Sequence, residues 1–237
     1  MQEHAPEESR IQRPSPAINV PGIVLALGAA FLLVHAYAAE WLDPVERVSL
    51  LERFAFVPGF YGVDPARLPE AAARYWSPFT HGFLHGDWTH VAVNCVWLVA
   101  FGSPVAKRFG PARFAVFTLA GFGAGAAAHY ALHAGELVPL VGASGAVSAY
   151  FGAAARFALI PGRMGSDAAL LLPARSLAQT LLTRGTLLFI LVWLGINWLT
   201  GSGLLPIAGG ANIAWEAHVG GFLLGLAGFG AFDPLRR

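Results

Sequence analysis

Long apolar stretches separated by polar connections dominate the sequence. Six of them approach the roughly 20 apolar residues that a helix needs to cross a bilayer: residues 21–39, 90–106, 113–133, 143–160, 185–202 and 212–231. The third, fourth and sixth are rich in Gly and Ala, which is typical of membrane helices that pack closely. The pattern predicts an all-α polytopic membrane protein with six transmembrane helices.

Positively charged residues predict how these helices are oriented, because cytoplasmic loops carry an excess of Lys and Arg. Eleven such residues fall on the side that holds both termini and the connections 107–113 and 156–184, and four fall on the other side. We therefore expect both termini to be cytoplasmic. The predicted helical domain covers residues 21–232, between tails at 1–20 and 233–237.

Composition supports the membrane assignment. Only 12% of the 237 residues are charged, against about 25% in soluble domains. The net charge of +1 offers no electrostatic basis for binding nucleic acid. The single cysteine excludes an intrachain disulfide.

The long connection after the first apolar stretch and that stretch itself carry further signals. Residues 40–89 form a long external first loop whose aromatic residues predict a position in the membrane interface. The first stretch has an alternative, since AYA at 36–38 resembles a signal-peptidase site. Its acidic leader and long apolar run favour a retained helix.

Polar residues inside predicted membrane helices are costly, so each is a candidate for function. In HGFLHGDWTHVAVN, residues 81–94, His90 and Asn94 are four residues apart and share one helix face. His81, His85 and Asp87 are close in sequence, so a metal site in this segment is an alternative to simple interfacial positions.

Ser144 lies in GASGA, at the predicted start of the fourth helix. A serine there sits near free backbone N–H groups and the positive end of the helix dipole, which would stabilise an adjacent anion. The alternative is a packing face of small residues that includes Gly145. Ser148, one turn later, is interpreted as a packing residue.

His218 opens the sixth helix on the same side of the membrane as Ser144 and Asn94. Gly221 and Gly225 follow it as a GxxxG face, which brings a neighbouring helix within backbone contact. A histidine within reach can activate a serine, and an amide N–H can stabilise the resulting oxyanion. Glu216 is expected to face water, so the predicted unit is a dyad.

The three segments GASGA at 142–146, HGDWTHVAVN at 85–94 and AHVGGFLLG at 217–225 resemble the rhomboid intramembrane serine proteases. The resemblance extends from about residue 75 to 228. It implies a six-helix rhomboid-like bundle of the bacterial form.

By this resemblance, Ser144 corresponds to the nucleophile and His218 to the general base. Asn94, His90 and the Ser144 backbone N–H correspond to the oxyanion hole. The resemblance also assigns Gly221 and Gly225 to close packing of the sixth helix against the fourth, and Gly145 belongs to the predicted packing face of the fourth helix.

Two positions depart from the family pattern. Trp76 is followed by Ser77 where the family often has arginine, and Arg74 is a possible substitute. Ser148 stands where an aromatic residue often stacks on the histidine, so another group must orient His218.

The resemblance implies cleavage of single-pass or polytopic membrane proteins near the external membrane boundary, in the bacterial inner membrane. The chemistry requires no metal and no organic cofactor. Residues 200–216 are expected to cap the site, and Trp193 and Trp198 to lie at a lateral entrance or face lipid. The alternatives are a catalytically inactive rhomboid-like protein that binds membrane clients and a histidine-dependent transporter.

Overall fold

The computed structural model describes residues 19–68, 70–159, 170–204 and 213–235, and these are almost entirely helical. Helices occur in the order α1 (Gly22–Glu40), α2 (Pro44–Phe54), α3 (Ala73–Thr80), α4 (Trp88–Trp97), α5 (Ser103–Phe109), α6 (Pro111–His133), α7 (Ser144–Phe157), α8 (Leu177–Leu182), α9 (Arg184–Gly201) and α10 (Trp215–Phe232). A π-helical turn, Leu98–Gly102, joins α4 to α5. The helical bundle agrees with the predicted fold class.

Four helical segments are long and apolar enough to cross a membrane: Gly22–Glu40, Trp88–Phe109, Pro111–His133 and Arg184–Gly201. Helix α7 has only 14 residues, about 21 Å at 1.5 Å per residue. It is therefore shorter than the predicted stretch 143–160. The chain is an integral membrane protein, and the count of six spans stays a prediction.

The long first loop is folded rather than extended. Asp43 caps α2, and its carboxylate accepts from the Val45 and Glu46 N–H groups. The Trp76 indole N–H on α3 donates to the Arg53 carbonyl (2.7 Å). The Trp76–Arg53 hydrogen bond joins the two short helices of the loop to each other.

Arg74 does not take over the loop's hydrogen bonding within the described ranges. Its Nε–H donates to the Ala71 carbonyl in the same turn (3.2 Å), and its Nη2 has no partner there. The Thr80 hydroxyl instead reaches the Phe54 carbonyl (2.9 Å).

Helices α6, α7 and α10 form the centre of the bundle and approach to backbone contact. A Cβ on Gly121 of α6 would lie 2.7 Å from the Ala146 Cα, and a Cβ on Gly225 of α10 would meet the Ala149 carbonyl. Only glycine allows helices this close. The small residues of the third, fourth and sixth predicted stretches therefore form one shared interface.

Charged groups connect α5 to the C-terminal end of α10. The Arg108 guanidinium forms a bidentate ion pair with Asp233 (2.9 Å for both contacts), and both side chains are buried. Asp233 belongs to the segment predicted as a tail, yet it joins α5 to the end of α10. The other predicted tail, residues 1–20, lies outside the described residues except for its last two.

Candidate active site

Ser144 is the first residue of α7, and a short ordered turn precedes it. Gly142 has φ +116°, a conformation that L side chains rarely adopt. Its N–H donates to the His81 carbonyl (3.0 Å). Further back, Leu140 and Phe56 exchange backbone hydrogen bonds of 2.8 and 3.2 Å. The first loop therefore holds the segment 140–142, which positions Ser144.

Helix α10 meets α7 beside Ser144. A Cβ on Gly221 would meet the Gly145 carbonyl, and the Ala217 carbonyl lies 3.8 Å from the position of a Gly145 Cβ. Residues on both sides of His218 thus contact the residue that follows Ser144. Among the described residues, the Ser144 hydroxyl makes no hydrogen bond to His218 or to another group, so the dyad stays a prediction.

Asn197 of α9 holds the His218 ring. The ring Nδ1–H donates to the Asn197 Oδ1 in a short hydrogen bond. The Asn197 Nδ2–H donates to the Trp193 carbonyl (2.7 Å), which turns Oδ1 towards the histidine. This pairing leaves the His218 Nε2 as the unprotonated nitrogen.

Asn197 orients His218 in place of the aromatic residue that the family often has at position 148, which is Ser148 in this chain. The sequence motifs do not include Asn197, because they lie on other helices. An amide within an apolar helix is nevertheless a signal, since polar groups there need a partner. Ser148 is buried in α7, in keeping with its interpretation as a packing residue.

His90 lies against the turn that precedes Ser144. The Gly86 N–H approaches its Nδ1 (3.4 Å), which assigns the ring proton to Nε2. That Nε2 would lie 2.6 Å from a Cβ on Gly142. Asn94 is buried one turn later, and one of its N–H groups donates to the His90 carbonyl (3.0 Å). The second amide N–H remains as a donor.

The histidines of the first loop do not form a metal site among the described residues. The His81 Nε2–H donates to the Phe122 carbonyl (3.3 Å), while Asp87 caps α4 by accepting from the His90 N–H (2.8 Å). Burial lowers the pKa of His81 to about 4 and that of His85 to about 3. Both rings are therefore neutral at pH 7 and pack as core residues.

The expectation that Glu216 faces water is wrong. Its side chain is buried in the first turn of α10, and the carboxylate contacts His129 Nδ1 of α6 (2.6 Å). The sequence does not indicate a partner for Glu216, because His129 is 87 residues away. This contact fastens the start of α10 to the end of α6.

Trp193 faces the interior of the bundle. Its ring stacks on Phe151 of α7 (5.2 Å between centroids) and on Phe222 of α10 (5.1 Å). Trp198 is more than half exposed. Of the predicted cap, residues 205–212 lie outside the described residues.

One family model and several known proteins resemble this chain. The family model described as "Rhomboid domain" matches residues 72–232. The protein named "Rhomboid protease GlpG" from Serratia proteamaculans (strain 568) is 30% identical over 162 residues, which is 67% of this chain and 49% of the relative. Proteins of the same name from two strains of Klebsiella pneumoniae are 28% identical over 159 residues.

The chain spans about half the length of the curated relatives it matches. The matched region contains all three segments that carry the resemblance, together with the helices that bring them near one another. The chain belongs to the rhomboid family.

Proposed function

We propose that this protein is an intramembrane serine endopeptidase that uses Ser144 as nucleophile and His218 as general base. The Ser144 Oγ attacks a substrate carbonyl while the His218 Nε2 takes the hydroxyl proton. The imidazolium then protonates the leaving amine, which departs as the peptide bond breaks. A water molecule hydrolyses the acyl-enzyme by the same proton transfers.

The observation that carries this proposal is the backbone contact between Gly145 and Gly221. It sets the first turn of α10 beside the first residue of α7, which carry His218 and Ser144 respectively. Asn197 supports the same assignment, because its Oδ1 accepts from the His218 Nδ1–H and leaves Nε2 free to take the serine proton.

Three donors are proposed to stabilise the oxyanion: the Ser144 backbone N–H, the His90 Nε2–H and the second N–H of Asn94. The Ser144 N–H belongs to the first turn of α7, where backbone donors lack partners within the helix. The helix dipole adds positive potential at this point. His90 already lies against the preceding turn.

Substrates are proposed to be single-pass or polytopic membrane proteins cut near the external membrane boundary. A helix shields its own carbonyls by internal hydrogen bonds, so it must unwind before attack. Gly, Pro or polar residues near the boundary should favour this step. The excess of positive charge near both termini supports a cytoplasmic location for them, and we place the protein in the bacterial inner membrane.

Labelling with a fluorophosphonate probe tests the proposal. The wild-type protein in detergent should be labelled and should cleave a transmembrane reporter, whereas Ser144→Ala and His218→Ala should lose at least about a thousandfold in rate. Ser148→Ala is the matched control, because it removes a hydroxyl from the same helix.

The outcomes separate the competing functions. Retained cleavage in Ser144→Ala protein would disprove the assignment of the nucleophile. A folded wild-type protein that binds membrane clients without labelling or cleavage would indicate an inactive relative. Ion flux in liposomes without labelling would indicate a transporter.

A further inference from the structure

We propose that His129, His133 and Glu216 form a binding site for a divalent transition metal of the Zn²⁺ class. The two histidines lie one turn apart at the end of α6, and the glutamate lies in the first turn of α10. Their ligand atoms all lie within 4.8 Å of one another. Two imidazoles and a carboxylate are a common protein ligand set for zinc.

Both histidines approach the same carboxylate oxygen of Glu216. The His129 Nδ1 lies 2.6 Å from Glu216 Oε1, and the His133 Nε2 lies 3.6 Å from the same atom. The two imidazole rings are 4.6 Å apart between centroids. An ion among these atoms would be bonded by side chains from two helices.

Each imidazole also has an oxygen acceptor on its other nitrogen. The His129 Nε2–H donates to the Val138 carbonyl (3.1 Å), and the His133 Nδ1–H donates to the Glu136 carboxylate (2.8 Å). Metal-bound histidines are usually held in this way, because the second hydrogen bond fixes the tautomer and the ring orientation. The other nitrogen of each ring is then the one that faces the proposed ion.

Without the ion, both nitrogens of His129 face oxygen acceptors. An ion would bond to His129 Nδ1 and Glu216 Oε1 in place of their direct contact. Tetrahedral bonds of about 2.0–2.1 Å require ligand atoms about 3.3 Å apart, so the Nδ1–Oε1 distance must widen by less than 1 Å.

The position of the site indicates its effect. Glu216 precedes His218 by two residues, so an ion there would fasten the start of α10 to α6 on the side away from Asn197. The His133 side chain is 29% exposed, which gives the ion a path from solvent and leaves room for water as a fourth ligand. The site is therefore expected to stabilise the bundle without touching substrate.

Zinc binding to untagged, detergent-purified protein tests the proposal. We expect one Zn²⁺ per chain after dialysis, measured by inductively coupled plasma mass spectrometry, and a Zn²⁺-dependent rise in Tm of about 5 °C. His133→Ala and Glu216→Gln should each weaken binding at least tenfold and remove the rise. Glu136→Gln should weaken it by about 10–100-fold, as expected for an outer hydrogen-bond partner.

His85→Gln is the matched control, because it removes a histidine from the first loop and should leave the stoichiometry at one. Wild-type protein without bound Zn²⁺ would overturn the proposal, as would unchanged binding in the His133→Ala variant. Loss of binding in His85→Gln alone would move the site to the first loop. Because the readouts are stoichiometry and Tm, they are independent of whether Ser144 cleaves a substrate.

Discussion

Helices α7 and α9 both contact α10, but they are packed in opposite ways. Twelve of the 14 residues of α7 are buried, and most of them are Gly, Ala or Ser. In α9 only Thr186, Ile190 and Asn197 are buried among 18 residues. Leu188, Leu191 and other large apolar side chains of α9 face outwards.

Because of this difference, the two residues of the proposed catalytic dyad are held in different ways. Ser144, the proposed nucleophile, lies on a helix whose backbone contacts its neighbours, so it is held rigidly. The proposed base lies on the adjacent helix, but its ring is oriented by Asn197 from the loosely packed helix α9. A displacement of α9, as at a lateral entrance, would therefore release the His218 ring.

The largest effect should come from adding a methyl group to the rigid interface. In Gly221→Ala, the new Cβ would overlap the Gly145 carbonyl. We expect a loss of about 3 kcal/mol in stability and the disappearance of cleavage, because α10 must move away from Ser144. Thermal unfolding in detergent and a reporter cleavage assay measure both.

Gly195→Ala in α9 is the matched control, since nothing lies within 4 Å of its Cβ position. Alanine favours a helix over glycine by about 0.5–1 kcal/mol, so this variant should be as stable as the wild type or slightly more stable. An equal loss of stability and cleavage in Gly221→Ala and Gly195→Ala would contradict the difference in packing between α7 and α9.

A smaller effect is expected from the proposed oxyanion hole beside α7. Asn94→Ala should lower kcat by about a hundredfold with little change in KM, because one donor to the transition state is lost. Asn94→Asp keeps the size of the side chain but not its donor, and it should be equally slow. A rate within a fewfold of wild type in both variants would remove Asn94 from the site.

The smallest of the three effects should come from α9. Asn197→Ala should lower kcat by about tenfold, because the His218 ring loses the acceptor that selects its tautomer. Asn197→Asp keeps an acceptor and adds a negative charge, so it should recover activity and move the acid limb of the kcat/KM profile to higher pH.

Thr200→Val is the control for Asn197, because it changes a polar residue one turn further along α9, whose hydroxyl bonds within the helix. It should leave both kcat and the pH profile unchanged. An Asn197→Asp profile that coincides with the wild-type profile would mean that Asn197 acts only in packing.

Much of the bundle could be predicted from the sequence. The long apolar stretches predicted the positions of the long helices, and the small residues indicated which helices approach closely. The predicted length of α7 was too great, because an almost entirely buried helix of small residues has no polar face to mark its end. Asn197 and the His129–Glu216 contact were not predicted, because each joins residues that are far apart in the chain.

The sequence by itself determined the membrane class, the family motifs and the glycines that permit close packing, since these depend on residue type and local spacing. Only the tertiary structure decided that Asn197 orients His218 and that Glu216 turns inwards to His129. Both are contacts between helices, and a side chain finds such a partner only when packing sets the rotation of each helix about its axis.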